Sequence, residues 1–252
     1  MTYVVGILEF IGGITLLLSR VLGLLFRGKV NAVLLLRQMV LLGVNSIPIT
    51  MLVLAFGGAV FSYVLADEMA KRGAGSLVGG MLLLMLLRQI IPLFMGTVLA
   101  GDIGAAITGE IGTMRISEQI DALKALSTNP DWYLTLPRVV AGVVMTPVIA
   151  VFAGYAGWYS GYFVAHRTAG MSYAYFTTNI RSLVDWKDVT ECFVKCVVLG
   201  ASIVLTAVYF GMRAKGGAAG LARAVTQSVV VNVVLIYMFD LLLTMLINAV
   251  KG

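Results

Sequence analysis

Long apolar runs alternate with short polar breaks along this chain. Residues 47–66, 77–100, 139–165, 192–212 and 225–250 each offer about 20 or more nearly unbroken apolar positions, the length a helix needs to cross the hydrocarbon core of a bilayer. The runs are continuous rather than alternating apolar and polar, which predicts helices and argues against a membrane β-barrel. A sixth stretch, 4–26, is interrupted by Glu9, Gly12, Gly13 and Arg20 and followed by Arg27, Lys29 and Arg37. It reads equally as a span that puts Met1 outside or as a helix lying in the interface with its charges snorkelling to water. A cleaved signal peptide is not expected, because no cation precedes the apolar part and no small-residue cleavage site ends it before the arginines.

The polar breaks differ in character. Between the second and third runs, residues 101–126 place Ile116, Ile120 and Leu123 on one side of a helix and Arg115, Glu118 and Asp121 along another. With Gly101, Gly104, Ala105, Ala106, Gly109 and Gly112 in its approach, this segment predicts an amphipathic helix whose base packs closely on neighbours and whose polar face meets a soluble partner. An ordinary surface helix is the alternative. Asn129-Pro130 and Leu136-Pro137-Arg138 then predict a corner before the third span. The first span opens at Pro48, contains Gly57-Gly58 and leaves through Asp67, Glu68, Lys71 and Arg72. The short glycine turn at 73–75 makes the first two spans antiparallel neighbours. Gly157 and Gly161 stand in GxxxG spacing, a signature of close helix contact. The loop 166–191 has room for a short helix, and its lone His166 predicts exposure rather than a metal site or a triad. A glycine-rich turn at 216–220 precedes the last span.

Composition sharpens this to an all-α integral membrane protein. The 252 residues are 60% hydrophobic and only 12% charged, with a mean hydropathy of +0.98, far from a soluble domain. The net charge of +6 does not indicate nucleic acid, since the cations are scattered at span ends rather than gathered in a stripe. They bear instead on orientation. If residues 101–136 are cytoplasmic, that side carries Arg20, Arg27, Lys29, Arg37, Arg115, Lys124, Arg138, Arg213, Lys215 and Arg223. The opposite side carries Lys71, Arg72, Arg167, Arg181, Lys187, Lys195 and Lys251, and the positive-inside rule favours this orientation. Arg88, followed by Gln89, and Asp240 fall inside spans, where a charge needs a partner or a watery cavity. They are candidates to pair with each other. Cys192 and Cys196 lack the further ligands of a zinc site and read as packing residues. No phosphate loop, dinucleotide fingerprint, HExxH or GxSxG is present, so the chain has no visible means of hydrolysing ATP itself.

Several stretches together resemble the MlaE-type permeases, the membrane subunits of ATP-driven lipid transporters that work with MCE-domain proteins. AGDIGAAITGEIGTMRISEQIDAL (100–123) is similar to the family's AGR-x-G-[ST]-A-x-x-AEIG-x-M-[RK]-x-[ST]-EQ-[IL]-DAL signature. NPDWYLTLPR (129–138), GAAGLARAVTQSVV (217–230) and FDLLLT (239–244) resemble later family elements in the same order, and Arg88 matches the arginine of LLRE-x-x-P. The resemblance implies one permease domain over 1–252, with an interfacial helix and elbow at 1–45, a five-span bundle at 47–250 and a cytoplasmic N-terminus. It implies a coupling helix between spans two and three, with Glu110, Met114, Arg115, Glu118, Gln119 and Asp121 at the positions that seat on the ATPase. Arg88, Gln89 and Asp240 would be the charged or polar groups of the lipid path. A homodimer in the inner membrane is implied, with separate ATPase subunits binding ATP and Mg, an MCE oligomer on the outer side and a phospholipid or related cargo; no cofactor is implied in this chain. Asp102 for the Arg of AGR, Gln89 for the Glu of LLRE-x-x-P, and Gln227 depart from the pattern. Two rival readings are a secondary transporter coupling through Arg88 and Asp240, and a non-transporting membrane scaffold.

Overall fold

A computed structural model describes residues 2–26 and 31–251. Arg27 and Lys29, counted above, lie outside the described residues, as does the side chain of Lys251. The described residues form helices and no strand. In chain order they are α1 (Thr2–Phe26), α2 (Ala32–Lys71), α3 (Gly75–Ile116), α4 (Gln119–Ala125) and α5 (Asp131–Ala169). There follow α6 (Tyr173–Thr177), α7 (Ile180–Leu183), α8 (Trp186–Met212) and α9 (Gly217–Lys251). Six of these, α1 included, are long and apolar enough to cross a membrane among the described residues.

Four boundaries differ from the sequence expectation. The 42-residue α3 has about twice the ~20 residues that a span needs, so the apolar run and the start of the polar segment are one continuous helix. Its glycines do not break it, since each costs only about 1 kcal/mol inside a helix. The first span likewise begins earlier: α2 passes through a π-turn at Met39–Gly43 and a 3-10 turn at Val44–Ser46, which absorb Pro48 without a break. The corner expected at Pro137 is absent, because a π-turn at Asp131–Thr135 leads straight into the helix over Leu136–Ala169. The other element expected to set the corner, Asn129-Pro130, does adjoin the turn: the chain turns around Ser127, which has a positive φ of 56°, and the Asn129 side chain accepts from the Asp131 amide at 2.9 Å where the π-turn begins. Finally, α8 starts at Trp186 rather than 192 and so takes up Asp188 and Glu191.

The chain folds as two compact units. One comprises Met1–Val44, Leu99–Met145 and Gly200–Leu235, with Ile107, Ile111, Leu136, Val204 and Val208 in its core. Thr108 anchors it: its hydroxyl donates to the Gly104 carbonyl (2.7 Å) and can accept from Ser228 Oγ (2.8 Å). In this unit α1 packs on α8. Phe10 stacks edge-on against Tyr209 with centroids 5.2 Å apart, and Gly13 leaves room for the Tyr209 ring, which a Cβ there would displace.

The other unit comprises Asn45–Val98, Thr146–Leu199 and Ile236–Gly252, built on Leu54, Leu82, Leu86, Ile149 and Leu199. Here the GxxxG pair on α5 meets α2. A Cβ on Gly58 would strike the Gly157 carbonyl, Ser62 donates to the Gly161 carbonyl at 2.6 Å, and Ser160 donates to the Ala55 carbonyl at 2.6 Å.

Candidate functional site

In the second unit, three helices bring charges together in the middle of apolar sequence. Pro92 on α3 has no N–H, so it cannot donate the usual i→i−4 bond to the Arg88 carbonyl, and the helix widens into a π-turn over Leu86–Met95. The Arg88 carbonyl instead accepts from Lys195 Nζ of α8 at 2.6 Å. The Lys195 side chain is fully buried, with Nζ 3.1 Å from Asp240 Oδ1 on α9 and 3.3 Å from Glu191 Oε1 one turn earlier on α8. With its amide nitrogen turned toward them, Gln89 donates to the Arg88 carbonyl (2.7 Å) and to Asp240 Oδ2 (3.0 Å). The Arg88 guanidinium points elsewhere. Its Nε (2.9 Å) and Nη2 (2.7 Å) both reach Asp188 Oδ1, and Asp188 Oδ2 accepts from the Asp185 amide at 3.0 Å. The Arg88 side chain remains 48% exposed while that of Asp188 is 3% exposed. Burial of these ions is tolerable only because each finds an opposite charge, and removing one partner would strand another. Beside the network, Leu83, Leu87, Ile91, Tyr155, Trp158 and Phe193 line an apolar cavity of about 340 Å³.

In the first unit, α3 ends at a polar turn. Glu118 adopts φ 60°, a left-handed conformation unusual for a residue with a Cβ, and this breaks the helix between Ile116 and Gln119. Arg115 Nη1 spans the break to Asp121 Oδ1 and Oδ2 at 2.9 Å and 2.8 Å, while Lys124 Nζ reaches Asp121 Oδ1 at 3.0 Å. The Lys124 bond, followed by that of Arg115, holds the Asp121 carboxyl below its ordinary range. Ile120 is buried beneath the turn; Glu118, Gln119 and Asp121 are exposed. Arg138, 3% exposed, pairs with Glu110 through Nη2 at 2.7 Å and donates to the Leu134 carbonyl at 2.7 Å.

A polar turn at the end of a long apolar helix, and ionised groups buried among apolar helices, belong to a membrane-spanning protein in which buried charges mark functional positions. The model of the family described as Permease MlaE matches residues 35–246. This chain belongs to the MlaE permease family. It is 32% identical over 222 residues to a probable ABC transporter permease protein of Synechocystis, covering 88% of this chain and 84% of that one. A protein of the same description from Rickettsia typhi is 34% identical over 215 residues, covering 85% and 83%. Another from Porphyra purpurea is 32% identical over 202 residues, covering 80% and 77%. The chain is a multi-pass membrane permease subunit of an ABC transporter.

Within this permease, the residues singled out from sequence fall into two sets, one in each unit. Arg88, Gln89 and Asp240 do share a network, but Arg88 and Asp240 do not pair: Asp188 takes the first and Lys195 the second. The polar segment 101–126 is not one rod; Arg115 and Asp121 meet across a left-handed turn rather than along a helix face. Glu110 faces Arg138, Met114 is half-buried, and Glu118 and Gln119 are open to solvent. Arg138 and Lys195, counted as loop cations, are both buried. Sequence reasoning missed Asp188, Glu191 and Lys195. The signal was there, since their i, i+3, i+7 spacing puts all three on one face of a helix. His166 is exposed as expected, with Nδ1 2.8 Å from the Met171 carbonyl. Cys192 and Cys196 are free and buried, in keeping with packing.

Proposed function

We propose that this permease subunit works as a homodimer in an ATP-driven lipid transporter of the cytoplasmic (inner) membrane, moving phospholipid or a related lipid between that membrane and the outer envelope. Separate ATPase subunits bind ATP and Mg, and an MCE-domain oligomer takes up or delivers the lipid on the outer side. The observation that carries this reading is the exposed turn Glu118-Gln119-Asp121, pinned by Arg115 and Lys124 at the far end of a helix longer than a bilayer is thick. A continuous helix ending in a cross-linked polar turn suits transmission of force from a soluble motor to the spans. Glu110 and Met114 belong to the same end, where Glu110 ties the last turns of α3 to α5 through Arg138. ATP-driven closure of two motor subunits moves the paired turns and shifts the spans as rigid bodies, changing affinity for the lipid. A protein route is needed because each CH2 of an acyl chain exposed to water costs about 0.8 kcal/mol.

Glu118→Lys is the test. The side chain is solvent-exposed, so the variant is expected to fold and insert normally, while ATPase stimulation in the reconstituted complex falls at least tenfold. Unchanged stimulation would remove the docking role. The Lys195–Glu191–Asp240 network favours, as a second reading, coupling to an ion gradient. Transport by the isolated chain driven by such a gradient, without ATP, would establish that reading in place of the first.

A further inference from the structure

We propose that a cavity of the first unit, where α1 meets the α8–α9 turn, binds the phosphate headgroup of an anionic membrane lipid, separately from any transported cargo. The cavity measures about 490 Å³, and Glu9, Phe10, Tyr209, Arg213, Lys215 and Arg223 are among its lining residues. Among the described residues that line it, three cations face one carboxylate. Little of that positive charge is used internally. Arg213 Nη1 lies 3.7 Å from Glu9 Oε2, an ion pair too long to be a hydrogen bond. Arg223 spends one donor, Nε, on the Ala219 carbonyl at 3.3 Å, leaving its terminal nitrogens. No carboxylate among the described residues forms an ion pair with Lys215 or Arg223.

The cations are held in place. The Arg213 guanidinium sits 4.5 Å over the Tyr209 ring, a cation–π contact that orients the side chain. The turn that carries Lys215 depends on positive φ at Gly216 and Gly217, and Gly220 packs so closely on the Lys215 carbonyl that no Cβ would fit. Position and floor select a lipid over a free anion. Arg213 and Lys215 lie between the ends of two candidate spans, Met212 and Gly217, where headgroups lie. Phe10 and Tyr209 make the inner wall aromatic, and on the side turned away from the cavity α1 exposes Leu8 (64%) and Ile11 (55%), so the helix that walls the cavity is itself apolar toward lipid. Basic pockets between spans recognise anionic headgroups in this way, and guanidinium groups match phosphate oxygens in pairs.

The complex, purified from its host and stripped of lipid, would be titrated with phosphatidylglycerol and read by native mass spectrometry. We expect one saturable adduct per chain that weakens with salt. The Arg213→Gln, Lys215→Gln, Arg223→Gln triple variant should lose about a hundredfold in affinity for it. Zwitterionic phosphatidylcholine should bind wild type and variant alike, and inorganic phosphate should not compete. Two exposed single changes keep the test sound if the triple variant fails to fold: Lys215→Gln should weaken the adduct several-fold and Glu9→Gln should strengthen it. Equal phosphatidylglycerol binding by wild type and these singles overturns the proposal. Displacement by inorganic phosphate would instead mark a free-anion site, and loss of the ATPase subunit with lipid binding intact would mark a protein contact; either overturns it.

Discussion

Lys195 carries a charge with none of its side chain exposed, and its environment is defined by the Arg88 carbonyl, Glu191 and Asp240. The ammonium is shared by two carboxylates, so its removal takes the cation from both, and Asp240 keeps only the neutral Gln89 amide of the contacts described above. Lys195→Met is therefore expected to cost about 3–5 kcal/mol of stability, whereas Asp240→Asn, which keeps a hydrogen-bonding side chain and leaves Lys195 with Glu191, costs about 1–2 kcal/mol. Thermal denaturation of the two variants in the same detergent measures the difference; equal midpoints would refute a shared ammonium. Asp121 behaves differently because it is exposed. Its folded-state pKa is depressed, first by Lys124 and then by Arg115, so its ordering effect is complete above the ordinary carboxylate pKa and is lost as pH falls through the depressed value. A spin label at the exposed Leu126 position should stay immobile down through the ordinary carboxylate range and become mobile only below it; Asp121→Asn should be mobile throughout. At this scale Arg88 and Asp240 were legible, since a charge inside an apolar run stands out. Asp188 and Glu191 were harder to read, because their helical spacing with Lys195 counts only once the helix start is known, and polar residues at the edge of a run look like loop until then.

Helix contacts give the cleanest contrast between adjacent residues. Gly57 and Gly58 share one turn of α2, yet a Cβ on Gly58 overlaps the Gly157 backbone while one on Gly57 finds only Phe94 Cδ1 at 3.9 Å. Backbone cannot rotate away as a side chain can, so Gly58→Ala must push α2 and α5 apart and lose the Ser62 and Ser160 hydrogen bonds that bind them. The expected cost is about 2 kcal/mol or more for Gly58→Ala and within about 0.5 kcal/mol for Gly57→Ala. A similar fall in denaturation midpoint for both would contradict the contact. The GxxxG spacing of Gly157 and Gly161 announced a close approach, but spacing within one helix cannot name the helix facing it. Helix ends were the least legible feature for a related reason. Glycine and proline are penalties rather than stops, and α3 runs through Gly101 and Gly104 while α5 runs through Pro137 because packing outweighs a cost of about 1–3 kcal/mol.

For the molecule as a whole, the open question from sequence was whether residues 4–26 cross the membrane, and length alone admits it, since α1 qualifies as a sixth span. Contacts within the first unit decide the expectation. Glu9 of α1 pairs with Arg213, immediately after α8, at 3.7 Å, and Arg20 pairs with Asp131, the first residue of α5, at 3.5 Å. If α5 and α8 cross in succession, the start of one and the end of the other lie on the same side of the membrane. The two anchors are eleven residues apart on α1, about 16 Å along its axis, yet both meet that one side. A helix crossing the bilayer would carry its second anchor well into the hydrocarbon; a helix lying along the interface reaches both with its charges in the headgroup layer. We therefore expect the N-terminus on the same side as the Glu118 turn. In sealed vesicles of known orientation, an impermeant reagent should reach an N-terminal tag and a cysteine placed at Leu126 from the same face. Labelling from opposite faces would make α1 a sixth span, and the Glu9–Arg213 and Arg20–Asp131 pairs would then not coexist in the membrane.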